Sequence, residues 1–194
     1  MRMEKQVNIA EYLDSTYLKT ASEAGISEVE TKEIVVNSIH EAIEAKFACI
    51  MIRPEFVAMA KEMIESNKSK LKVGTVIDFP FGNSSTEQKI IEGKSAIKSG
   101  ANDIDYVCDY NAFKRGSFEK FDNDILEGTK LGVENKKIVK WIIETGALSR
   151  DEIREISRRI SKMVQINFPQ HTSKIFIKTS TGYYGGYGAT VKDV

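Results

Sequence analysis

Short, continuous apolar runs alternate with helix-patterned segments along almost all of this 194-residue chain, and no other feature narrows its fold as much. Residues 47–52 (Phe-Ala-Cys-Ile-Met-Ile), 73–77, 104–108, 138–143 and the run that closes at Lys178 read as strands, with a first one around residues 9–13. Strands that are apolar on both faces have to be covered on both. That is the mark of a parallel sheet whose crossovers are helices. The helix starts are explicit. Ser27 with Glu30 and Ser149 with Glu152 have capping-box spacing, Ser85 and Gln88 open another helix, and Pro54 suits a first helical turn. Behind these starts apolar residues recur with the helical period: Ile34, Val35, Ile39, Ala42 and Ile43 in one helix, Ile153, Ile156, Ile160 and Met163 in another.

Two architectures use such an alternation, an open doubly wound sheet and a (β/α)8 barrel of the TIM type. A dinucleotide-binding open sheet would carry a glycine fingerprint after its first strand. Here residues 9–13 lead instead into Asp14-Ser15-Thr16. Polar residues mark the C-terminal ends of several strands: Asp14, Asp78, Asp105, Glu144 and Lys178. In a barrel those ends converge on the face that carries active sites. The expectation is an α/β chain of the (β/α)8 TIM-barrel type, a single domain over residues 1–194 with about six strand–helix units.

Lys+Arg and Asp+Glu are both 28, so no basic surplus suggests nucleic acid. Cys49 and Cys108 do not make a disulfide framework, and a reducing cytoplasm is expected. The N-terminal residues lead into no apolar signal-peptide run, and no stretch approaches bilayer length, so no membrane partner is expected. His40 and His171 share no ligand spacing, and no metal is expected.

Lys178 closes the run Ile175-Phe176-Ile177 just before Thr179-Ser180-Thr181-Gly182. An amine carried on an apolar strand into a pocket fits a nucleophile whose charged form is disfavoured. The plainer local reading is a strand-end lysine reaching to solvent. Asp103 and Asp105 alternate with Ile104, which puts both carboxylates on one strand face. Asp105 could move a proton, pair with a lysine or cap a loop. Lys140, inside a strand of Ile, Val and Trp, could weaken the charge on a nearby amine or pair with Glu144 or Asp105 as scaffold. The glycine-rich stretch from Gly182 through Tyr187 to Thr190 could bring N–H groups close to a phosphate, and Cys49 reads as packing.

In order, the segments Leu13-Asp14-Ser15-Thr16-Tyr17-Leu18-Lys19, Ala48-Cys49-Ile50, Val76-Ile77-Asp78-Phe79-Pro80-Phe81-Gly82, Glu87-Gln88-Lys89 with Glu92, Asp103-Ile104-Asp105-Tyr106-Val107, Lys140-Trp141-Ile142-Ile143-Glu144-Thr145 and Lys178-Thr179-Ser180-Thr181-Gly182 resemble the deoxyribose-phosphate aldolases. These are class I, Schiff-base enzymes of the barrel type. The resemblance implies Lys178 as the Schiff-base lysine and Asp105 as the proton-relay aspartate. It also implies Asp14, Thr16, Cys49, Lys140 and Thr181 as pocket residues, and Gly182 as the start of the phosphate-side loop. The implied reaction is reversible cleavage of 2-deoxy-D-ribose 5-phosphate to D-glyceraldehyde 3-phosphate and acetaldehyde, with no cofactor. The family continues through two further strand–helix units that carry a second lysine and phosphate contacts, whereas this sequence stops at Val194. The other readings are a non-catalytic remnant that associates through open sheet edges and a related Schiff-base aldolase for another aldehyde; a homo-oligomer is among the expected partners.

Overall fold

The helix starts form as their sequences imply. In the computed structural model, which describes residues 7–186 and 188–193, the Ser27 and Ser149 side chains accept the N–H groups of Glu30 and Glu152, whose carboxylates return to the cap N–H groups. The Gln88 N–H reaches Ser85 Oγ at 3.2 Å. Residues 1–6, read above for a signal peptide, Tyr187 of the glycine-rich stretch and Val194 lie outside the described residues. Thr20 and Glu23 make a further capping box that the reading above does not include.

Two compact units divide the chain, one of the described residues up to 75 with 99–101, the other of 76–98 with the described residues from 102 on. In the first, β1 (Asp14–Tyr17), β2 (Cys49–Ile52) and the opening of β3 (Lys72–Ile77) run parallel in that order. The helix α1 (Ala21–Ala24) precedes α2 (Glu28–Glu44), which lays buried Val35, Ile39 and Ala42 against the sheet, and α3 (Val57–Ser66) buries Val57, Ala60 and Ile64. The first strand is not where the apolar residues are. Ile9–Tyr12 is a 3-10 turn capped by Asn8, and it leaves Ile9 and Tyr12 70% and 74% exposed. The strand proper is the polar run Asp-Ser-Thr-Tyr, which enters the ladder when Ala48 donates its N–H to the Leu13 carbonyl at 2.9 Å. Asp14 therefore opens β1 instead of ending a strand.

The second unit begins at the end of β3 and contains α4 (Thr86–Lys98), β4 (Asp103–Val107), α5 (Tyr110–Lys114), α6 (Phe118–Glu134), β5 (Ile138–Ile142), α7 (Arg150–Asn167) and β6 (Ile175–Lys178). β4, β5 and β6 are parallel, with Asp105 opposite Lys140, Tyr106 opposite Trp141, and Ile142 opposite Lys178. The register sorts side chains by face. On one face Tyr106 stacks on Trp141 at 4.8 Å between ring centroids, and the Trp141 indole N–H donates to Thr129 on α6 at 3.0 Å. The helices come close enough that a Cβ on Gly93 would lie 2.4 Å from the Tyr106 hydroxyl, and one on Gly128 2.8 Å from the Trp141 ring. On α7 the inner row is Ile153, Ile156, Ile160 and Val164, so Val164 takes the place expected of Met163, which is only half-buried. Helix α5, absent from the reading of the sequence, starts where the Asp109 carboxylate accepts the Ala112 N–H at 2.7 Å. Among the described residues no helix is long and apolar enough to cross a membrane.

A buried lysine ties this unit together. Lys89, 1% exposed, donates to the carbonyls of Gly82 at 2.9 Å and Val107 at 3.1 Å and to Asp124 Oδ2 at 2.8 Å, with Asp78 at 3.7 Å. Thr86 donates to the other Asp124 oxygen, and Lys120 lies 3.3 Å from Asp124 and 2.8 Å from Asp109. The loop after β3 is held by the same ammonium, and Gly82 there, at φ 66°, passes so close to β4 that a Cβ would sit 2.3 Å from the Cys108 carbonyl. Burial pushes the Cys108 thiol far up, out of thiolate chemistry.

Removing one partner of a buried charge pair leaves the other uncompensated. Lys89→Met is expected to destabilise the protein by about 3–5 kcal/mol in urea unfolding, because Asp124 loses its closest cation. A second test concerns Asp109. Burial pushes its carboxyl up, but the Lys120 ammonium and the Ala112 N–H outweigh that and hold it below the ordinary carboxylate range. A lowered folded-state value stabilises above the unfolded value and is lost as pH falls through the lowered one. For Lys120 burial acts downward, and the hydrogen bond to Asp109 with the charges of Asp124 and Asp109 raises it, so its contribution fades only at high pH. Asp109→Asn keeps an N-cap oxygen and removes the charge. It should cost about 1 kcal/mol near neutral pH, reduced by the partial exposure of Lys120, and the difference from wild type should shrink below about pH 4.

Candidate active site

β4 to β6 bring four charged side chains into one chain of contacts. Lys178, last residue of β6, donates from Nζ to Asp105 Oδ2 at 2.8 Å. Lys140 on β5 stands 3.6 Å from the other oxygen of Asp105 and 3.2 Å from Asp103 Oδ2. The carboxylates are buried, Asp105 completely, whereas the Lys178 side chain is 29% exposed and Lys140 12%. Alternation produces this order: Asp103 and Asp105 share a face of β4, Lys140 lies opposite Asp105, and Lys178 stands one pleat beyond Phe176, the residue opposite Lys140. Asp105 thus sits between two amines, and of the two Lys178 has the greater access to solvent. The arrangement can accept a proton from the amine and return it.

Beyond Lys178 the chain turns through Thr181 and Gly182. The Thr181 hydroxyl donates to Glu144 Oε2, and the Thr181 N–H reaches the same oxygen at 3.1 Å. The Tyr183 N–H donates to Thr181 Oγ1 at 3.0 Å, and the Tyr183 ring meets Phe79 edge-on at 4.9 Å. Gly182, exposed and at φ 79°, has nothing within 4 Å of a Cβ position, so its left-handed backbone, not crowding, calls for glycine. Tyr110, whose ring lies 6.2 Å from that of Tyr184, has its phenol pushed up by burial and then by Glu144.

Asp14, Thr16 and Cys49 belong to the first unit. Asp14 and Thr16 alternate on β1 and are exposed, and Asp14 lies opposite buried Cys49 in register. A Cβ on Gly74 of β3 would strike Met51 Sδ at 2.2 Å and approach Cys49 Sγ to 3.0 Å, so the absent side chain makes the room these two sulfurs occupy. A groove of about 590 Å³ in this unit is lined by Phe47, Ala48, Leu71 and Lys72, at the N-terminal ends of β2 and β3. In a barrel that is the end associated with stability and not with catalysis.

Three groups at or near the site escaped the sequence reading as site residues. Asp103 carried a usable signal, since its alternation with Asp105 was visible. Glu144 reads from sequence as a strand-end polar residue and a candidate partner of Lys140, not as a partner of Thr181. Lys89 lies in a segment that carries the resemblance, but nothing local marks it as buried, because a lysine on a helix is ordinarily solvated. Among the described residues no group of three or more His, Cys, Asp or Glu could hold a metal ion.

No family model matches the chain. It is 35% identical over 188 residues to a deoxyribose-phosphate aldolase of Thermococcus gammatolerans, an alignment that covers 97% of this chain and 76% of that one. With the deoxyribose-phosphate aldolase of Staphylococcus saprophyticus the identity is 40%, over the same shares of the two chains. The solved structure of an aldolase called QR15 superposes with a TM-score of 0.75 at 26% identity, covering 97% of this chain and 74% of that one. The chain thus spans about three-quarters of the length of these relatives. Its six strands with intervening helices, seen among the described residues, are of the α/β TIM-barrel type. Sequence identity at this level over nearly the whole chain, joined to that likeness of fold, establishes that the chain belongs to the deoxyribose-phosphate aldolase family.

Proposed function

We propose that this chain cleaves 2-deoxy-D-ribose 5-phosphate reversibly to D-glyceraldehyde 3-phosphate and acetaldehyde, with Lys178 as the Schiff-base amine and Asp105 as its proton partner. The observation that carries the reading is the 2.8 Å contact between Lys178 Nζ and a carboxylate that is itself fully buried. Once Asp105 holds the proton, the amine attacks the C1 aldehyde of the open-chain sugar and gives a carbinolamine. Loss of water, with a proton delivered to the departing hydroxyl, yields the iminium. The iminium draws in the electron pair of the C2–C3 bond as the 3-hydroxyl loses its proton. Glyceraldehyde 3-phosphate leaves, and an enamine remains on Lys178. Protonation at C2 and hydrolysis release acetaldehyde and restore the amine.

Each of these proton transfers needs a group that can both take and give, within hydrogen-bond reach of the nitrogen. Asp105 meets the geometric condition. Lys140, on the far side of Asp105, supplies a fixed positive charge beside that carboxylate, and Asp103 holds Lys140 in place. The turn at Gly182 is the proposed phosphate side, and Asp14, Thr16 and Cys49 are proposed pocket residues. A cytoplasmic location and self-association complete the reading, in keeping with two free cysteines and a phosphorylated, membrane-impermeant substrate.

Borohydride reduction in the presence of acetaldehyde should add a single ethyl group to the protein at Lys178. Lys178→Arg should abolish the adduct and leave thermal unfolding within a few degrees of wild type. An adduct of undiminished yield on the Arg variant would remove Lys178 from its role. Asp105→Asn retains an oxygen for Lys178 but no proton acceptor. Turnover should fall by about 10²–10⁴-fold, the range attributed to general acid–base catalysis, with the folded structure intact by circular dichroism.

A further inference from the structure

Glu144 occupies an expensive position. Its backbone is left-handed, at φ 57° and ψ 72°, a region that costs a residue with a Cβ about 1–2 kcal/mol. The side chain is buried, with the residue 1% exposed, and among the described residues Oε1 has no hydrogen-bond partner. Strain and incomplete solvation at one residue are found where the surroundings need a particular geometry. Here that geometry is visible. On either side of Glu144 the backbone ladder continues past the strand ends, with Ile143 donating to the Lys178 carbonyl at 3.0 Å and Thr145 to the Thr179 carbonyl at 2.8 Å. Between these two bonds the left-handed residue turns its carboxylate onto Thr181, where one oxygen takes both the N–H and the hydroxyl. Thr181 in turn accepts the Tyr183 N–H. The first three residues of the turn that follows Ser180 are therefore ordered by a carboxylate just beyond the end of β5.

We infer that Glu144 is the positioning residue for the Gly182 turn, fixing it for recognition of the substrate's phosphate, and that Thr181 acts through Glu144 and not as a direct ligand. The inference rests on the aldolase reading above. Both Thr181 donors are committed to the carboxylate. That points an anion to the N–H groups of Gly182, Tyr184, Gly185 and Gly186, on a backbone whose Gly182, Gly185 and Gly186 have φ of 79°, 56° and 77°. Successive N–H groups in such a turn converge on an anion only in a defined conformation, and a small misplacement is costly to binding. The contact from Lys178 to Asp105 involves neither Glu144 nor Thr181, so recognition of the phosphate and the chemistry at the amine are separable.

The test compares wild type, Glu144→Gln, Thr181→Val and the double variant on 2-deoxyribose 5-phosphate and on unphosphorylated 2-deoxyribose, with borohydride trapping of acetaldehyde as a readout of the amine alone. Each single variant should raise KM for the phosphorylated sugar roughly tenfold, and leave kcat, KM for 2-deoxyribose and the acetaldehyde adduct within about twofold of wild type. The double variant should be no worse than the more affected single one, because both act through one link. Equal losses on the two sugars, a fall in thermal midpoint with KM unchanged, or additive effects in the double variant would each overturn the inference. A wild-type protein that forms no acetaldehyde adduct would overturn the Lys178 reading itself, and this inference with it. The wild-type control separates that failure from failure of the Glu144 link.

Discussion

The ammonium group of Lys89 is the constraint on which the second unit depends. Three oxygens surround it at hydrogen-bond distance, two of them backbone carbonyls and the third from Asp124, and together they come from three different parts of the chain: the loop after β3, the end of β4 and helix α6. A buried cation with a full set of acceptors tolerates few arrangements, since every displacement lengthens one charge-assisted bond while desolvation stays the same. The end of β4 is thereby fixed against α4 and α6, and the carboxylates of β4 are placed by the strand that Lys89 holds. The proposed chemistry at Lys178 borrows its rigidity from a lysine that takes no part in it.

Much of this was legible in the sequence, for a physical reason that also explains the rest. Strands such as residues 104–108 and 138–143 announce themselves because a strand buried on both faces has to be apolar, and helices such as α2 and α7 because caps and the helical period are local. β1 failed on the same rule. Its residues are polar and partly exposed, and the apolar Ile9 and Tyr12 before it face solvent, so the signal lay on the wrong segment. Helix α5 is five residues long and too short to show a period. Lys178 and Asp105 stood out as charges in apolar strands. The meaning of Lys140 could not be settled from its own neighbours, because the choice among Asp103, Asp105 and Glu144 is a matter of register between strands far apart in sequence. The same holds for Glu144, whose partner lies 37 residues away.

Positive φ values in residues with side chains cluster in two kinds of place. Lys46, Lys68 and Lys136 follow helices, where a left-handed residue ends the turn. Asp78 and Glu144 instead follow strands, and both use the reversed backbone to turn a carboxylate back onto a neighbouring loop, Asp78 onto Ser84 and Glu144 onto Thr181. Glycine would relieve the backbone at either position and lose the carboxylate. The strain is thus the cost of making a loop answer to a side chain at the end of a strand, and a stiff loop is what binding without induced rearrangement requires.

The register of β4 against β5 has a consequence for how this sequence can change over time. Along each strand the residues belong alternately to two separate tasks: Asp103, Asp105 and Lys140 to the charge cluster of the proposed proton transfer, Tyr106 and Trp141 to the contact with glycines on α4 and α6. Adjacent residues in the gene therefore answer to different selection. A drift at Tyr106 would be felt as lost abundance, and one at Asp105 as lost turnover in a protein still plentiful. An inserted or deleted residue within either strand would exchange the two tasks at every position downstream in it, a far larger disturbance than most single substitutions there.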